Sequence, residues 1–150
     1  MNTRAILING VSLPYHVLDK GIQQAKTGHP MRAVFIYNNE EESEIYIVPA
    51  DTQLTRAEFT DANARIHLTT LVHHNLDFAK GYFQNKNVDV ETVLLPNPTM
   101  EEIVDALQDA EKVFIDPDTF NHPEEPAYVS ITYEQFDERL SSKLELCAAD

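Results

Sequence analysis

Two aspartates beside a short apolar run form the stretch of this chain best suited to chemistry. Asp116 and Asp118 follow the apolar residues 113–115, with Pro117 between them and Thr119 after them. Such a pair suits Mg²⁺, which binds one or two carboxylates together with water and a substrate phosphate. The alternative is a turn whose carboxylates bind nearby backbone N–H groups and order the loop. The sequence leaves both interpretations open.

A second group of polar residues follows the first apolar run. Residues 4–8 end at Asn9 and Gly10, which is typical of a buried strand followed by a turn. Ser12 is predicted to cap the next helix, where its hydroxyl would satisfy a free N–H and help to form a mild anion site. If the first and fourth strands are neighbours, the candidate nucleotide-binding residues are Asn9, Val11, Ser12, Asp116, Asp118 and Thr119, with Asp116 and Asp118 as candidate metal ligands.

The histidines and the single cysteine give weaker signals. His67 and His74 are seven residues apart on a predicted helix, roughly 10.5 Å along its axis, which is too far for one zinc ion. His16 and His122 could approach each other near the aspartates, although turn and loop contacts are the simpler interpretation. Cys147 has no histidine close in sequence and cannot form an internal disulfide, so a nucleophilic role is not expected. No catalytic residue is predicted, and we expect the protein not to be an enzyme.

Hydrophobic periodicity places these residues on alternating strands and helices. Strands are predicted at residues 4–8, 31–37, 88–95, 112–115 and 127–131, with a short extension or extra strand at 44–48. Helices are predicted from Ser12 to Gly28, from Thr55 to about Asn85, from Thr99 to Ala110, and from Thr132 through Leu144. The last three begin at capping boxes, which pair Thr55 with Glu58, Thr99 with Glu102 and Thr132 with Gln135.

The long second helix has an ambiguous apolar pattern. Its main face is predicted to contain Ala57, Ala64, Leu68, Leu71, Val72, Phe78, Ala79 and Tyr82. Phe59 and Ile66 lie on the opposite face. The helix therefore either breaks near Ile66 or presents a minor apolar patch to a loop or a partner.

This order of elements predicts an α/β fold, a doubly wound and mostly parallel five-stranded sheet with helices on both faces. Residues 1–150 are expected to form a single domain, because this length can bury one sizeable core. Any ligand is expected beyond the carboxyl ends of the strands, where the strand order reverses.

Charge and composition exclude several classes of partner. The chain has 25 acidic and 11 basic side chains, for a net charge of −14, so its field repels nucleic acid and anionic lipid. No apolar run approaches the ~20 residues of a membrane span. With one cysteine and no pattern typical of a secretion signal, the protein is expected in the reducing cytoplasm.

The order and spacing of these motifs resemble the universal stress protein family. The likeness covers roughly residues 4–116. It is carried by Asn-Gly-Val-Ser after the first strand, the long capped helix, and the block V-D-V-E-T-V-L-L-P-N-P-T-M-E-E-I-V-D-A-L from Val88 to Leu107. The resemblance implies an adenine nucleotide alpha-hydrolase-like fold and a role in stress response. It also implies a homodimer, often built through the last strand, here residues 127–131.

The resemblance also implies a nucleotide site, but its two motifs are altered. Family members that hold ATP carry an aspartate after the first strand and a glycine-rich loop after the fourth. Here the first position reads Asn9 to Ser12, with no acidic residue, and residues 116–119 contain no glycine. Backbone N–H groups approach phosphate only where no side chain intrudes, and Pro117 has no N–H to donate. Each carboxylate would repel a nearby phosphate by about 1 kcal/mol in water and by several in a partly desolvated cleft.

These observations favour a non-enzymatic regulatory or binding protein of the universal stress protein type with a degenerate nucleotide site. The alternative is a protein that binds a nucleotide, ATP or AMP, with the help of Mg²⁺ at the edge between strands one and four. The partner is then either an unknown protein or a small nucleotide. A hydrolase or transferase that uses His16, His122 and the aspartates is the least favoured interpretation.

Overall fold

The computed structural model describes residues 2–38, 61–116 and 138–147. Within the second of these ranges, residues 61–68 are described by their backbone only. Within these ranges the elements are β1 (Arg4–Asn9), α1 (Tyr15–Lys26), β2 (Met31–Tyr37), α2 (Asp61–Asn85), β3 (Val90–Pro96), α3 (Met100–Leu107), β4 (Val113–Ile115) and β5 (Leu144–Leu146). None of the described helices combines the length and apolar character needed to cross a bilayer.

The five strands form one sheet in the order β3-β2-β1-β4-β5, and every neighbouring pair is parallel. The chain fills one side of β1 with β2 and β3, then returns to fill the other side with β4 and β5. This confirms the predicted doubly wound α/β class. The strand order reverses at β1, so the carboxyl ends of β1 and β4 lie side by side at the point where such sheets bind ligands.

Both faces of the sheet are covered by helices. Leu7, Val34 and Ile115 pack with residues of α3 on one face, and Ile6, Phe35 and Phe114 pack with α1 and α2 on the other. Successive strand residues point to opposite faces, and burial on both faces explains why the central strands are almost continuously apolar. The same alternation places Asn9 on the α3 face, with Ala5 and Leu7.

The capping box predicted for α3 is confirmed in detail. The N–H of Glu102 donates to the Thr99 hydroxyl at 3.2 Å, and the N–H of Thr99 donates to the Glu102 carboxylate at 3.0 Å. Ile103 and Leu107 are buried as predicted. The capping boxes at Thr55 and Thr132, and the segment 44–48, lie outside the described residues.

Helix α2 is continuous through Ile66, so of the two alternatives the break near Ile66 does not occur. However, the prediction of which residues form its buried apolar face was partly wrong. The buried stripe consists of Val72, Leu76, Ala79 and Phe83, whereas Leu71 and Phe78 are 43% and 47% exposed. Two apolar stripes at helical spacing lie side by side on this helix, and periodicity alone does not show which one faces the sheet.

The end of the chain also departs from the prediction. The last helix was predicted to run through Leu144, but the helical residues 138–140 are followed by a turn and then by β5. The Val113 N–H donates to the Lys143 carbonyl at 2.9 Å, and the Cys147 N–H donates to the Ile115 carbonyl at 2.8 Å. These bonds pair the outer edge of β4 with β5. The local spacing of apolar residues does not predict this pairing, because it depends on residues that are distant in sequence. The predicted strand at 127–131 lies outside the described residues.

Candidate functional site

Asp116 is held against helix α1 at the carboxyl end of β4. The Nε2 atom of His16, in the first turn of α1, lies 2.5 Å from Oδ2 of Asp116. The two atoms are close but not aligned as a linear hydrogen bond. Only 27% of the His16 side chain and 18% of the Asp116 side chain are exposed. The contact ties the end of β4 to α1 and fixes a carboxylate at the edge where a ligand is expected.

Cys147 lies at the same edge of the sheet. It directly follows β5, and its backbone N–H is bonded to Ile115, the residue before Asp116. Burial raises the pKa of the Cys147 thiol, Lys20 on α1 opposes the shift, and the carboxylates of Glu145 and Asp116 raise the pKa further. A thiol with a raised pKa stays protonated at neutral pH and is a poor nucleophile. Sequence reasoning missed this location because the alternating Leu-Glu-Leu of β5 was assigned to a helix.

Asn9 ends β1 and is almost fully buried, at 2% exposure. Its amide nitrogen and its amide oxygen both lack a hydrogen-bond partner within the part of the chain that the structure describes. Leaving a buried polar group unsatisfied costs about 1–3 kcal/mol. Such groups in a folded protein call for an explanation, such as a bound water or ligand. This unpaired amide makes Asn9 a candidate contact for a ligand at the switch point.

The sheet separates the predicted site residues. Asn9 belongs to the α3 face, whereas Asp116 contacts His16 on the α1 face. Both lie at the carboxyl edge, on neighbouring strands. A ligand that met both groups would have to cross the end of the sheet rather than lie on one face.

The turn after β1 is closed by helix α2. The Gly10 N–H donates to the Ile36 carbonyl at 2.6 Å, and the Gly10 carbonyl accepts from the Asn75 side chain at 2.9 Å. A Cβ atom at position 10 would lie 2.8 Å from a methyl group of Val72. Glycine is therefore required for the close approach of α2.

The predicted capping role of Ser12 is wrong. Helix α1 begins at Tyr15, its N-cap residue is Pro14, and no side chain caps it. The Ser12 N–H instead donates to the Asn9 carbonyl at 3.2 Å, which keeps Ser12 in the preceding turn. Ser12 is exposed. The mild anion site that the cap was expected to create is therefore not formed by this hydroxyl.

The structure brings Asn9, Val11, Ser12 and Asp116 to one edge, and it adds His16 as the partner of Asp116. Asp118, Thr119 and His122 lie outside the described residues, so the proposed carboxylate pair is seen only in part. Among the described side chains, no group of three or more His, Cys, Asp or Glu is placed to hold a metal ion.

No family model matches the chain, and no curated protein matches it. Several solved structures, however, are similar to this chain. A protein of the universal stress protein family from Burkholderia pseudomallei is 12% identical, with a TM-score of 0.56 over 97% of this chain and 94% of that one. A universal stress protein in complex with cAMP is also 12% identical, with a TM-score of 0.46 over 95% of each chain. The likeness to the first of these shows that the chain has the universal stress protein fold, as the sequence resemblance implied.

Proposed function

We propose that this protein is a non-enzymatic, regulatory binding protein of the universal stress protein type, acting in the cytoplasm in a stress response, with a nucleotide site that has lost its phosphate-binding end. The observation that carries the proposal is the contact between Asp116 and His16 at the carboxyl end of β4. A carboxylate fixed there stands where a phosphate-binding loop would offer backbone N–H groups.

Two further features support a site closed to phosphate. Residues 116–119 contain a proline and no glycine, so the loop lacks the freedom to turn several N–H groups toward an anion. The net charge of −14 adds a repulsive field for any polyanion.

A second candidate function is Mg²⁺-assisted binding of a nucleotide at the same edge. The unpartnered amide of Asn9 favours it, because the edge of a nucleobase offers a donor and an acceptor side by side, as the amide does. A magnesium ion between Asp116 and the phosphates would turn their repulsion into bridging.

Thermal unfolding with adenosine, AMP and ATP, each with EDTA or with Mg²⁺, separates the two functions. A ligand that binds the folded state raises its stability by about 2.7 kcal/mol when its concentration is 100 times its Kd. The first proposal predicts no rise in Tm with ATP, either in EDTA or with Mg²⁺. The second predicts a rise that requires Mg²⁺ and is lost in Asp116→Asn.

Asp105→Asn is the matched control, since Asp105 is an exposed carboxylate on α3, away from this edge. It should behave as the wild type with every ligand. A rise in Tm with metal-free ATP would contradict both functions. Release of phosphate from ATP that disappears in Asp116→Asn would contradict the non-enzymatic assignment.

A further inference from the structure

An exposed aromatic cluster lies where α1 and α2 meet. Tyr15 and Phe78 are 50% and 47% exposed, and Leu71, two turns before Phe78 on α2, is 43% exposed. The ring of Tyr15 makes edge contacts with Phe78 and Tyr82, at centroid distances of 6.1 and 5.9 Å. The side chains are thus held in place by one another while a large part of their surface stays in water.

The same side of α2 carries no acidic, lysine or arginine side chain. At about 100° per residue, the positions within roughly 60° of Phe78 from position 71 to position 85 include Leu71, His74, Asn75, Gly81, Tyr82 and Asn85, and we call this set with Phe78 the α2 stripe. It contains no Asp, Glu, Lys or Arg, although 24% of the chain is charged. A solvated helix face ordinarily carries charged residues. The composition of the stripe is typical of a surface that contacts another protein.

Gly81 gives a second, independent indication that this side of α2 contacts another protein. It lies inside a 25-residue helix, where glycine costs roughly 1 kcal/mol relative to alanine. A Cβ atom built there would meet no described atom within 4 Å, so packing inside the described chain does not require glycine. Gly81 leaves a notch on the helix surface one turn from the projecting ring of Phe78.

We propose that the α2 stripe is the contact surface for a second copy of this chain, with the two α2 helices antiparallel and the Phe78 ring of each copy seated over the Gly81 notch of the other. A projection and a notch one turn apart on one helix are self-complementary under a two-fold axis, as an isologous dimer requires. The interface differs from the last-strand contact expected from the family resemblance, since it is built on helix α2.

The charge of the α2 stripe also favours a second copy of this chain as its partner. The stripe has no carboxylate to receive a basic partner, and Asp19 at its rim already accepts a hydrogen bond from the Tyr82 hydroxyl at 2.6 Å. Lys86 also lies at the rim, with its Nζ atom 5.8 Å from the centroid of the Tyr82 ring. Two stripes that contain no Asp, Glu, Lys or Arg meet without burying one of these charges at their centre. The repulsion between two copies of charge −14 acts from outside the contact and is screened over about 8 Å at physiological salt.

The size of the stripe sets the strength of the contact. Half of an aromatic side chain amounts to roughly 100 Å², so the three large exposed side chains offer about 300 Å² per copy. This is less than the ~800 Å² per partner of a standard stable interface. We therefore expect a dimer in exchange with the monomer, whose population depends on protein concentration.

Sedimentation velocity over a wide range of protein concentration tests the proposal, with Phe78→Glu compared to Gln84→Glu. Both variants add one negative charge per copy to α2, but Gln84 is exposed on a different side of the helix, away from the stripe. Phe78→Glu should raise the dimer Kd about tenfold or more, as expected for loss of a central aromatic side chain. Gln84→Glu should leave the Kd close to that of the wild type.

Gly81→Ala adds a test that does not depend on damaging the fold. Alanine should raise the Tm of the monomer, because it favours the helix, and it should weaken the dimer, because it fills the notch. A wild type that is monomeric at every concentration would overturn the proposal. So would a dimer that Phe78→Glu weakens no more than Gln84→Glu does, or one that Gly81→Ala leaves unchanged or strengthens.

Discussion

Asn9 and Gly10 are adjacent residues that the fold constrains in different ways. Gly10 has no room for a Cβ atom, because Val72 lies 2.8 Å from the place where it would be. Asn9 has room for a polar side chain but no described group to pair with it. The dipeptide predicted a turn after β1, and the structure confirms it. Sequence alone did not show that one residue is fixed by packing and the other is left unsatisfied.

Replacing Asn9 by valine should raise the free energy of unfolding, by up to about 1–3 kcal/mol, because it removes the desolvation penalty of the unpaired amide and suits a strand. Urea denaturation measures the change. Gln24→Leu is the contrasting variant, since the partly buried Gln24 amide accepts a hydrogen bond from Arg4. It should lower stability, and an Asn9→Val protein less stable than the wild type would show that the Asn9 amide is satisfied in solution.

Among the elements, those defined by local signals were predicted well. Strand β2 was predicted at residues 31–37, where it is observed, because a run that is apolar except for Arg32 lies between Pro30 and a polar loop. Helix α3 starts at its capping box. Strand β5 and the orientation of α2 depend on which distant surface each element covers, and neither local propensity nor periodicity contains that information.

Strands β2 and β3 and helix α3 are linked by Arg32. Its guanidinium donates to both oxygens of Asp109, at 2.6 and 3.1 Å, and to Glu91 at 3.1 Å. The hydrogen bond from Arg32 lowers the pKa of the Asp109 carboxyl below its usual value. A carboxyl with a lowered pKa in the folded state contributes stability above its unfolded pKa, and this stability is lost as the pH falls through the folded value.

Asp109→Asn should therefore lower the Tm at neutral pH and reduce the loss of Tm below about pH 4, the usual pKa region of an aspartate. The change should stay within about 1 kcal/mol, because more than half of the Asp109 side chain is exposed and water screens the pair. Thermal melts of both proteins from neutral to acidic pH measure it. Parallel pH profiles for the two proteins would show that the pair adds nothing to stability.

At the scale of the whole molecule, the sequence predicted the doubly wound sheet and the edge at which a ligand would meet it. Strand alternation and the meeting of β1 and β4 at the switch point follow from the order of elements. The sequence placed His16 near the aspartates, but it did not predict the direct contact between His16 and Asp116, because these residues are 100 positions apart. Nor could sequence show that the sheet places Asn9 and Asp116 on opposite faces, since this depends on the register of each strand.

The central claim is that a fixed carboxylate at the end of β4 prevents the binding of a bare triphosphate. Isothermal titration of the wild-type protein with ATP in the presence of EDTA tests this claim most directly. The account predicts no saturable heat beyond that of dilution. Saturable binding of one metal-free ATP per chain would contradict it.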